Sequence, residues 1–241
     1  MAIYTSKTRI DLEDVGYSNK ITNKAILKIL ENAGARQSET IHFGLNDMEN
    51  VGFSWILLGW KVKILKRPIY NEELTINTWG RDSNRIFTYR DYEIYDESGE
   101  LCAIATSKWA IVDINTGKLR ELTPEIIEKY QCETKKVFEE DYTLKLKEPV
   151  TIIRKQEYKA QRRDIDINKH IHNLYYLDYA YEVLPEEVYE APECNNIEIM
   201  YKKQIRLNDE FKCLYTKEKN QNIVTMKSED ENTLHAIIKL Y

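Results

Sequence analysis

Hydrophobic positions along this chain recur with two periods, and the alternation between them outlines its organisation. Ile26, Ile29, Leu30 and Ala33 fall at i, i+3, i+4 and i+7, which predicts a helix, with Gly34 placed to stop it. The pattern then changes. Lys61 to Leu65, Leu74 to Trp79, Ile86 to Tyr95 and Leu101 to Asp113 are rich in β-branched and aromatic residues and read as strands. Asp96-Glu97-Ser98-Gly99 reads as the hairpin connection between the last two. The same order returns later. Leu174 to Leu184 is apolar nearly all round a helical axis, leaving Asp178 and Glu182 as its polar strip, so that helix is expected to be buried. Fainter strand patterns come after it at Ile197 to Arg206, Glu210 to Lys217, Asn222 to Ser228 and Leu234 to Tyr241. Between the two halves, Thr123-Pro124-Glu125 opens a short helix to Tyr130, and a polar connector runs from Cys132 to about Glu148.

The repetition extends to residue identity. With an offset of 150, Asp14 meets Asp164, Ile21 meets Ile171, Asn23 meets Asn173 and Leu27 meets Leu177. About one identity would be expected by chance over such a stretch. Asn71-Glu72-Glu73-Leu74 likewise resembles Asn208-Asp209-Glu210-Phe211. One helix followed by an antiparallel sheet, twice over, predicts an α+β chain of two tandem units, taken as 1–135 and 136–241.

Composition narrows the chemistry without selecting it. A net charge of −5 leaves no global nucleic-acid footprint, while 42% hydrophobic and 31% charged residues suit a packed core under a polar surface. No apolar run approaches the roughly 20 residues that span a bilayer, and the first residues lack a signal-peptide pattern, so a cytoplasmic protein without membrane contact is expected. Cys102, Cys132, Cys194 and Cys213 show no CxxC spacing and no histidine-rich company, so no zinc site is expected. A GxSxG elbow and a glycine-rich phosphate loop are both missing from the sequence, and neither cofactor nor metal is called for. The 17 tyrosines are expected in core and pocket lining rather than on a base-stacking surface.

The densest chemistry is Asp164-Ile165-Asp166-Ile167-Asn168-Lys169-His170-Ile171-His172-Asn173, which packs carboxylates, amides and imidazoles just ahead of the second helix. Two readings fit the residues. Asp and Asn favour helix caps, so the segment could simply begin a helix. Alternatively, side chains gathered at a helix N-terminus, where unpaired N–H groups favour negative charge, are parts of an acyl-transfer apparatus. The first copy carries Gly16, Ser18 and Lys20 where the second carries Asp166, Asn168 and His170. Any such chemistry is therefore expected only in the C-terminal unit.

The pattern Asp-x-Asp-x-Asn-x-His-x-x-Asn-x-x-Tyr resembles the catalytic signature of the acyl-ACP thioesterases, the plant fatty-acyl chain terminators and their bacterial relatives. An upstream block continues the resemblance: Trp55 to Trp60, Arg67-Pro68, Tyr70, Glu73-Leu74, Thr78-Trp79, Arg90 to Ile94, Gly99 to Leu101, Ala105 to Ser107, Trp109 and Asp113. The resemblance implies a double hotdog, each unit an antiparallel sheet wrapped around a long buried helix. It implies hydrolysis of fatty acyl-ACP to free fatty acid, terminating fatty acid synthesis, with the N-terminal unit shaping the acyl pocket. Asp166, Asn168 and His170 are the implied active-site residues, with Asn173 as structural support or substrate contact. Arg162, Arg163, Lys202 and Lys203 are candidates for meeting an acidic acyl carrier protein, though acyl-CoA phosphates would suit them equally. The two-unit chain could pair further into a homodimer.

In one respect the chain departs from the family pattern. Where relatives have a Glu in a Tyr-Arg-Arg-Glu-like run, this sequence has Tyr201-Lys202-Lys203-Gln204, and a carboxamide at Gln204 can orient but not accept a proton. Two other readings stay open: a non-catalytic acyl-thioester-binding hotdog, and a hotdog 3-hydroxyacyl-thioester dehydratase, whose motif His42-Phe43-Gly44 faintly resembles.

Overall fold

The computed structural model describes residues 3–81, 84–140, 145–189 and 194–241. The chain divides into two compact units, Met1–Tyr142 and Thr143–Tyr241, where the sequence placed the change at 135/136.

In the first unit the helix α1 spans Asn23–Thr40, and Thr22 caps it by accepting the Ala25 amide on Oγ1 at 3.1 Å. It does not stop at Gly34. Glycine is there because the sheet comes too close for anything larger. A Cβ at Gly34 would stand 3.0 Å from the Tyr92 hydroxyl and 3.1 Å from Cδ of Arg90. Ile26, Leu27, Leu30 and Ala33 bury the helix's apolar stripe. The strands are β1 (Tyr4–Arg9), β2 (Phe53–Ile64), β3 (Glu73–Gly80), β4 (Phe87–Tyr95) and β5 (Leu101–Asp113), all antiparallel to their neighbours in the order β1-β3-β4-β5-β2. A two-residue strand β6 (Leu119–Arg120) pairs with β5. The short helix α2 (Met48–Val51) precedes β2, and α3 (Pro124–Tyr130) carries Thr123 as its cap. Trp60, Leu74, Ile76, Trp79 and Tyr92 are almost wholly buried in this unit. Charge is buried here too. The Arg90 guanidinium donates to Gln37 and, at 3.2 Å, to Thr78, and the ring of Tyr130 lies 5.4 Å from it.

The second unit repeats this plan with a shorter helix. Its strands β7 (Arg154–Lys159), β8 (Asn196–Tyr201), β9 (Glu210–Glu218), β10 (Gln221–Ser228) and β11 (Leu234–Leu240) form antiparallel pairs in the order β8-β11-β10-β9-β7. Helix α4 covers only Tyr175–Val183, and a further short helix α5 spans Glu186–Tyr189. Contrary to the sequence pattern, α4 is not buried all round. Tyr176, Leu177, Ala180 and Val183 are buried, while Tyr175, Tyr179 and Tyr181 are only partly so. A tyrosine buries its ring and keeps its hydroxyl where a partner can be reached. Tyr158, Tyr179 and Phe211 pack ring on ring with centroids 4.9 to 5.7 Å apart, and the Tyr179 hydroxyl donates to Asp164 at 2.5 Å.

Each unit is thus an antiparallel sheet laid against one helix, the hotdog arrangement. The long helix expected of both belongs only to the first. Strands β1 and β7 carry charge at nearly every exposed position and escape a hydrophobic pattern search because they are sheet edges, which charge protects from unwanted pairing.

Candidate active site

The segment carrying Asp166, Asn168 and His170 is a tight hairpin loop. It ends well before α4 and does not form that helix's first turn. Ile165 and Ile171 form an antiparallel bridge beneath it. Above the bridge the Asp166 amide donates to the His170 carbonyl at 3.0 Å, and the Lys169 amide donates back to the Asp166 carbonyl at 3.0 Å. The turn is possible because Lys169 takes a left-handed backbone, φ 64°. Asp166 tightens it further, its Oδ1 accepting the Asn168 amide at 2.8 Å, which is an Asx-turn. The expected gathering at a helix N-terminus fails because these polar residues satisfy the loop's own backbone. Leu174 and Tyr175 also spend their amides locally, on His172 Nδ1 at 3.3 Å and the His172 carbonyl at 2.9 Å.

Within the loop, Nδ1 of His170 stands 3.6 Å from Oδ2 of Asp166 and 3.2 Å from the carbonyl of Ile171. Both neighbours accept hydrogen bonds, and a carbonyl can only accept. Nδ1 therefore carries the proton in the neutral ring, leaving Nε2 as the basic nitrogen. The two side chains are half-buried, whereas Asn168 is exposed at the loop tip. A half-buried carboxylate–imidazole pair with Nε2 as its basic nitrogen, beside an exposed carboxamide, can take a proton from water and donate to a carbonyl oxygen.

Gln204 reaches the same place from another element. β8 stops at Tyr201, short of the predicted Arg206, because residues 202–206 leave the β11 ladder and cross to the loop. The Ile171 amide donates to the Ile205 carbonyl at 2.8 Å, and His170 bridges to Arg206. This sets Gln204 and the exposed Lys202 and Lys203 beside the loop's C-terminal arm. Arg162 and Arg163 occupy an exposed 3-10 turn at its other end, with Arg163 Nε 3.7 Å from Asp164. Asn173 lies in the turn between loop and helix, and its carbonyl accepts the Tyr201 hydroxyl at 3.1 Å. Asp164, first in the motif, is buried and structural. It receives the amide of Gln161, the hydroxyl of Tyr179 and, on its carbonyl, the amide of His172.

Three residues of this neighbourhood were not singled out by sequence reasoning. Arg206 adds an exposed cation directly across from His170. Tyr176, buried in α4, accepts the Ile205 amide on its hydroxyl at 3.3 Å. His235, far along the chain in β11, is buried against the segment that carries Gln204. A lone histidine within the apolar run Leu234 to Ile238 is the signal that could have drawn attention to it. His42, by contrast, is exposed just after α1 with a left-handed backbone, φ 60°, 3.8 Å from Asp47. The four cysteines are free thiols, and burial pushes Cys102 up to about 11 and raises Cys213 further.

Comparison with known proteins finds one family across most of the chain. Residues 1–130 match the model of the acyl-ACP thioesterase N-terminal domain, and residues 147–239 match that of the C-terminal domain. The chloroplastic oleoyl-acyl carrier protein thioesterase 2 of Arabidopsis thaliana is 25% identical over 238 residues, covering 92% of this chain. The chain spans about 65% of that relative's length. Among solved structures, an acyl-ACP thioesterase from Bacteroides thetaiotaomicron superposes with a TM-score of 0.86 at 22% identity, covering 99% of this chain and 97% of that one. A 12:0-ACP thioesterase from Umbellularia californica gives a TM-score of 0.85 at 16% identity, over 100% and 96% of the two chains.

Proposed function

Because this chain belongs to the acyl-ACP thioesterase family, we propose that it hydrolyses fatty acyl-ACP thioesters to free fatty acid and the carrier thiol. The observation that carries this reading is the Asp166–His170 pair, its Nδ1 turned to the carboxylate and the Ile171 carbonyl, set beside Asn168 in the second unit and replaced by Gly16, Ser18 and Lys20 in the first.

Nε2 of His170 takes a proton from the attacking water, and the Asp166 carboxylate stabilises the imidazolium that forms. As water adds, the thioester carbonyl oxygen gains negative charge, and the Asn168 carboxamide donates to it. Collapse of the tetrahedral intermediate expels the carrier's thiolate, which takes the proton held on Nε2. Gln204 orients water or substrate, since its amide has no proton-accepting role. Asn173 braces the loop through Tyr201, with its side chain available to substrate. Arg162, Arg163, Lys202 and Lys203, joined by Arg206, form the basic rim that meets an acidic acyl carrier protein. The N-terminal unit, whose corresponding loop carries Gly16, Ser18 and Lys20 instead, serves as the acyl-binding unit.

A dehydratase is less well supported, because His42-Phe43-Gly44 lies past the C-terminal end of α1, where the His42 ring, 3.8 Å from Asp47, is exposed to solvent. The test is thiol release from a series of acyl-ACP substrates of short to long chain, with the matching acyl-CoA and a 3-hydroxyacyl-ACP beside them. Release from acyl-ACP that disappears in His170→Ala is expected. Conversion of the 3-hydroxyacyl substrate without thiol release would overturn the reading.

A further inference from the structure

We propose that His235 is a positioning residue for hydrolysis, holding the 202–206 segment in the register that the loop of His170 requires. This rests on the functional reading of that loop as the site of hydrolysis. His235 lies in β11 at 5% exposure, and its Nδ1 is 2.8 Å from the carbonyl of Lys203, the residue before Gln204. Since a carbonyl can only accept, Nδ1 carries the proton and donates. Burial lowers the affinity of the ring for a second proton, so it sits there neutral. The backbone carbonyl of His235 accepts the Lys202 amide at 2.8 Å. Ring and backbone together grip the chain at the two residues where it leaves the sheet.

Immediately past that grip the chain forms the wall of the site. Ile205, wholly buried, gives its amide to Tyr176 and accepts the amide of Ile171, and Arg206 bridges to His170. A shift at Lys203 would therefore be passed to Gln204 and to the rung under His170 within three residues.

The first unit separates this role from a purely structural one. There the Leu65 amide donates to the Cys102 carbonyl at 2.7 Å, the counterpart of the rung from Lys202 to His235. The paired registers Ile64 with Ala103 and Tyr201 with Ala236 place Cys102 and His235 at the same position of the fold. The rung forms over a cysteine, whose Sγ turns to the Glu100 carbonyl at 3.5 Å. The fold at this point does not need an imidazole. Only the unit bearing the Asp166–His170 loop has one there.

The experiment compares His235→Cys, which copies the first unit, with His235→Asn, which keeps a donor near the place of Nδ1. Single-turnover hydrolysis of one acyl-ACP is read with KM, Tm and amide exchange at Ile171 and Lys202. The cysteine variant is expected to lose about tenfold in kcat with KM within about twofold, since small misplacements of a site cost that much or more. Exchange at Ile171 should quicken, and the asparagine variant should recover most of the rate. A cysteine variant within twofold of wild type in kcat overturns the proposal, as does an asparagine variant that falls equally far. His170→Ala, run alongside, tests the site itself. If it leaves thiol release intact the reading of the loop fails, and the exchange measurement still decides the clamp: faster exchange at Ile171 supports it, unchanged exchange overturns it.

Discussion

In the loop at 14–23 the Gly16 amide donates to the Lys20 carbonyl at 3.0 Å, and in the loop at 164–173 the Asp166 amide donates to the His170 carbonyl at the same distance. The agreement continues around both loops. Val15 bridges Ile21 as Ile165 bridges Ile171, and Asn19 takes a left-handed backbone as Lys169 does. Thr22 donates to Asp14 as His172 donates to Asp164, and Ile21 donates to Pro68 as Ile171 donates to Ile205. The backbone frame is common to both copies, so the frame is not what makes one of them a site.

The side chains mounted on it differ in a consistent direction. Pro68 and Ile205 occupy one position, so Arg67 and Gln204 do as well. Arg67 donates to the Ile21 carbonyl at 2.8 Å and to Asn23 Oδ1 at 2.6 Å, closing over the loop of the first unit. In the second unit the corresponding carbonyl, that of Ile171, faces the ring of His170, and Gln204 is exposed. The first loop is closed over by a guanidinium and the second is left open. Helix entry differs as well: α1 begins at Asn23 directly under a threonine cap, while α4 waits until Tyr175, leaving Asn173 in a turn. A duplicated frame can thus be closed or left open by a few side chains.

The sharpest way to break this comparison is to remove the chemistry from each loop in turn. His170→Ala and Asp166→Asn should each lower single-turnover kcat by about 10²-fold or more, the usual worth of an acid–base group. Ser18→Ala and Lys20→Ala should leave it within about twofold. Equal losses in both loops would show the frame itself to be the site.

Transplanting the seal is the next largest test. Gln204→Arg should reproduce the Arg67 contacts on Ile171 and Asn173 and lower kcat/KM by about tenfold, equivalent to roughly 1.4 kcal/mol. Gln204→Ala should cost less. Gln204→Glu supplies a proton acceptor and should widen the active pH range. An arginine variant as active as wild type would mean that closure over the loop carbonyl is irrelevant.

The reverse change should be felt in stability rather than rate. Arg67→Leu removes the hydrogen bonds to Ile21 and Asn23 from a charged donor and should cost about 1–3 kcal/mol, read as a lower urea midpoint with hydrolysis nearly unchanged. Gly34→Ala comes next. Alanine favours helix by about 1 kcal/mol, but its Cβ would press on Arg90, which Thr78 holds, and on the wholly buried Tyr92. A small net loss is expected, and a gain in midpoint would show that the sheet can yield there.

The smallest effect concerns pH. Burial lowers the pKa of His235 below its ordinary value near 6.5, with the hydrogen bond to the Lys203 carbonyl and the charge of Asp209 opposing and the Lys203 ammonium assisting. The unfolded chain then binds a proton more readily, so the stability this ring contributes is full above that value and is lost as pH falls through the lower folded one. The difference in midpoint between wild type and His235→Asn should shrink with acidification below about pH 6.5. A difference that does not change with pH would mean the ring titrates alike in both states.

Much of this was legible in the chain itself. Periodicity gave the first helix and the four main strands of each half, because a half-buried sheet and an amphipathic helix impose periods of two and 3.6 on whatever sequence folds into them. The offset of 150 and the exchange of Gly16, Ser18 and Lys20 for Asp166, Asn168 and His170 were visible as letters. The edge strands β1 and β7 were not, since charge hides their alternation. Gly34 misled because a glycine that ends a helix and a glycine that admits a neighbouring strand look the same in one dimension.

The sequence by itself determined which residue types were available, in which copy, and on which kind of element, since those depend on local period and turn chemistry. Only the tertiary structure decided that the reactive groups stand on a hairpin loop ahead of the helix. The same is true of the orientation of His170, whose Nδ1 faces Asp166 and the Ile171 carbonyl. Arg67 and Gln204 acquire opposite roles at one position only once the duplicated frames are folded. His235 reaches the site segment from β11, more than thirty residues beyond Lys203 in the chain. The physical reason is common to all of these. Hydrogen bonds and packing act over a few ångströms, and which distant residues come within that range is fixed by the pairing of strands rather than by their order.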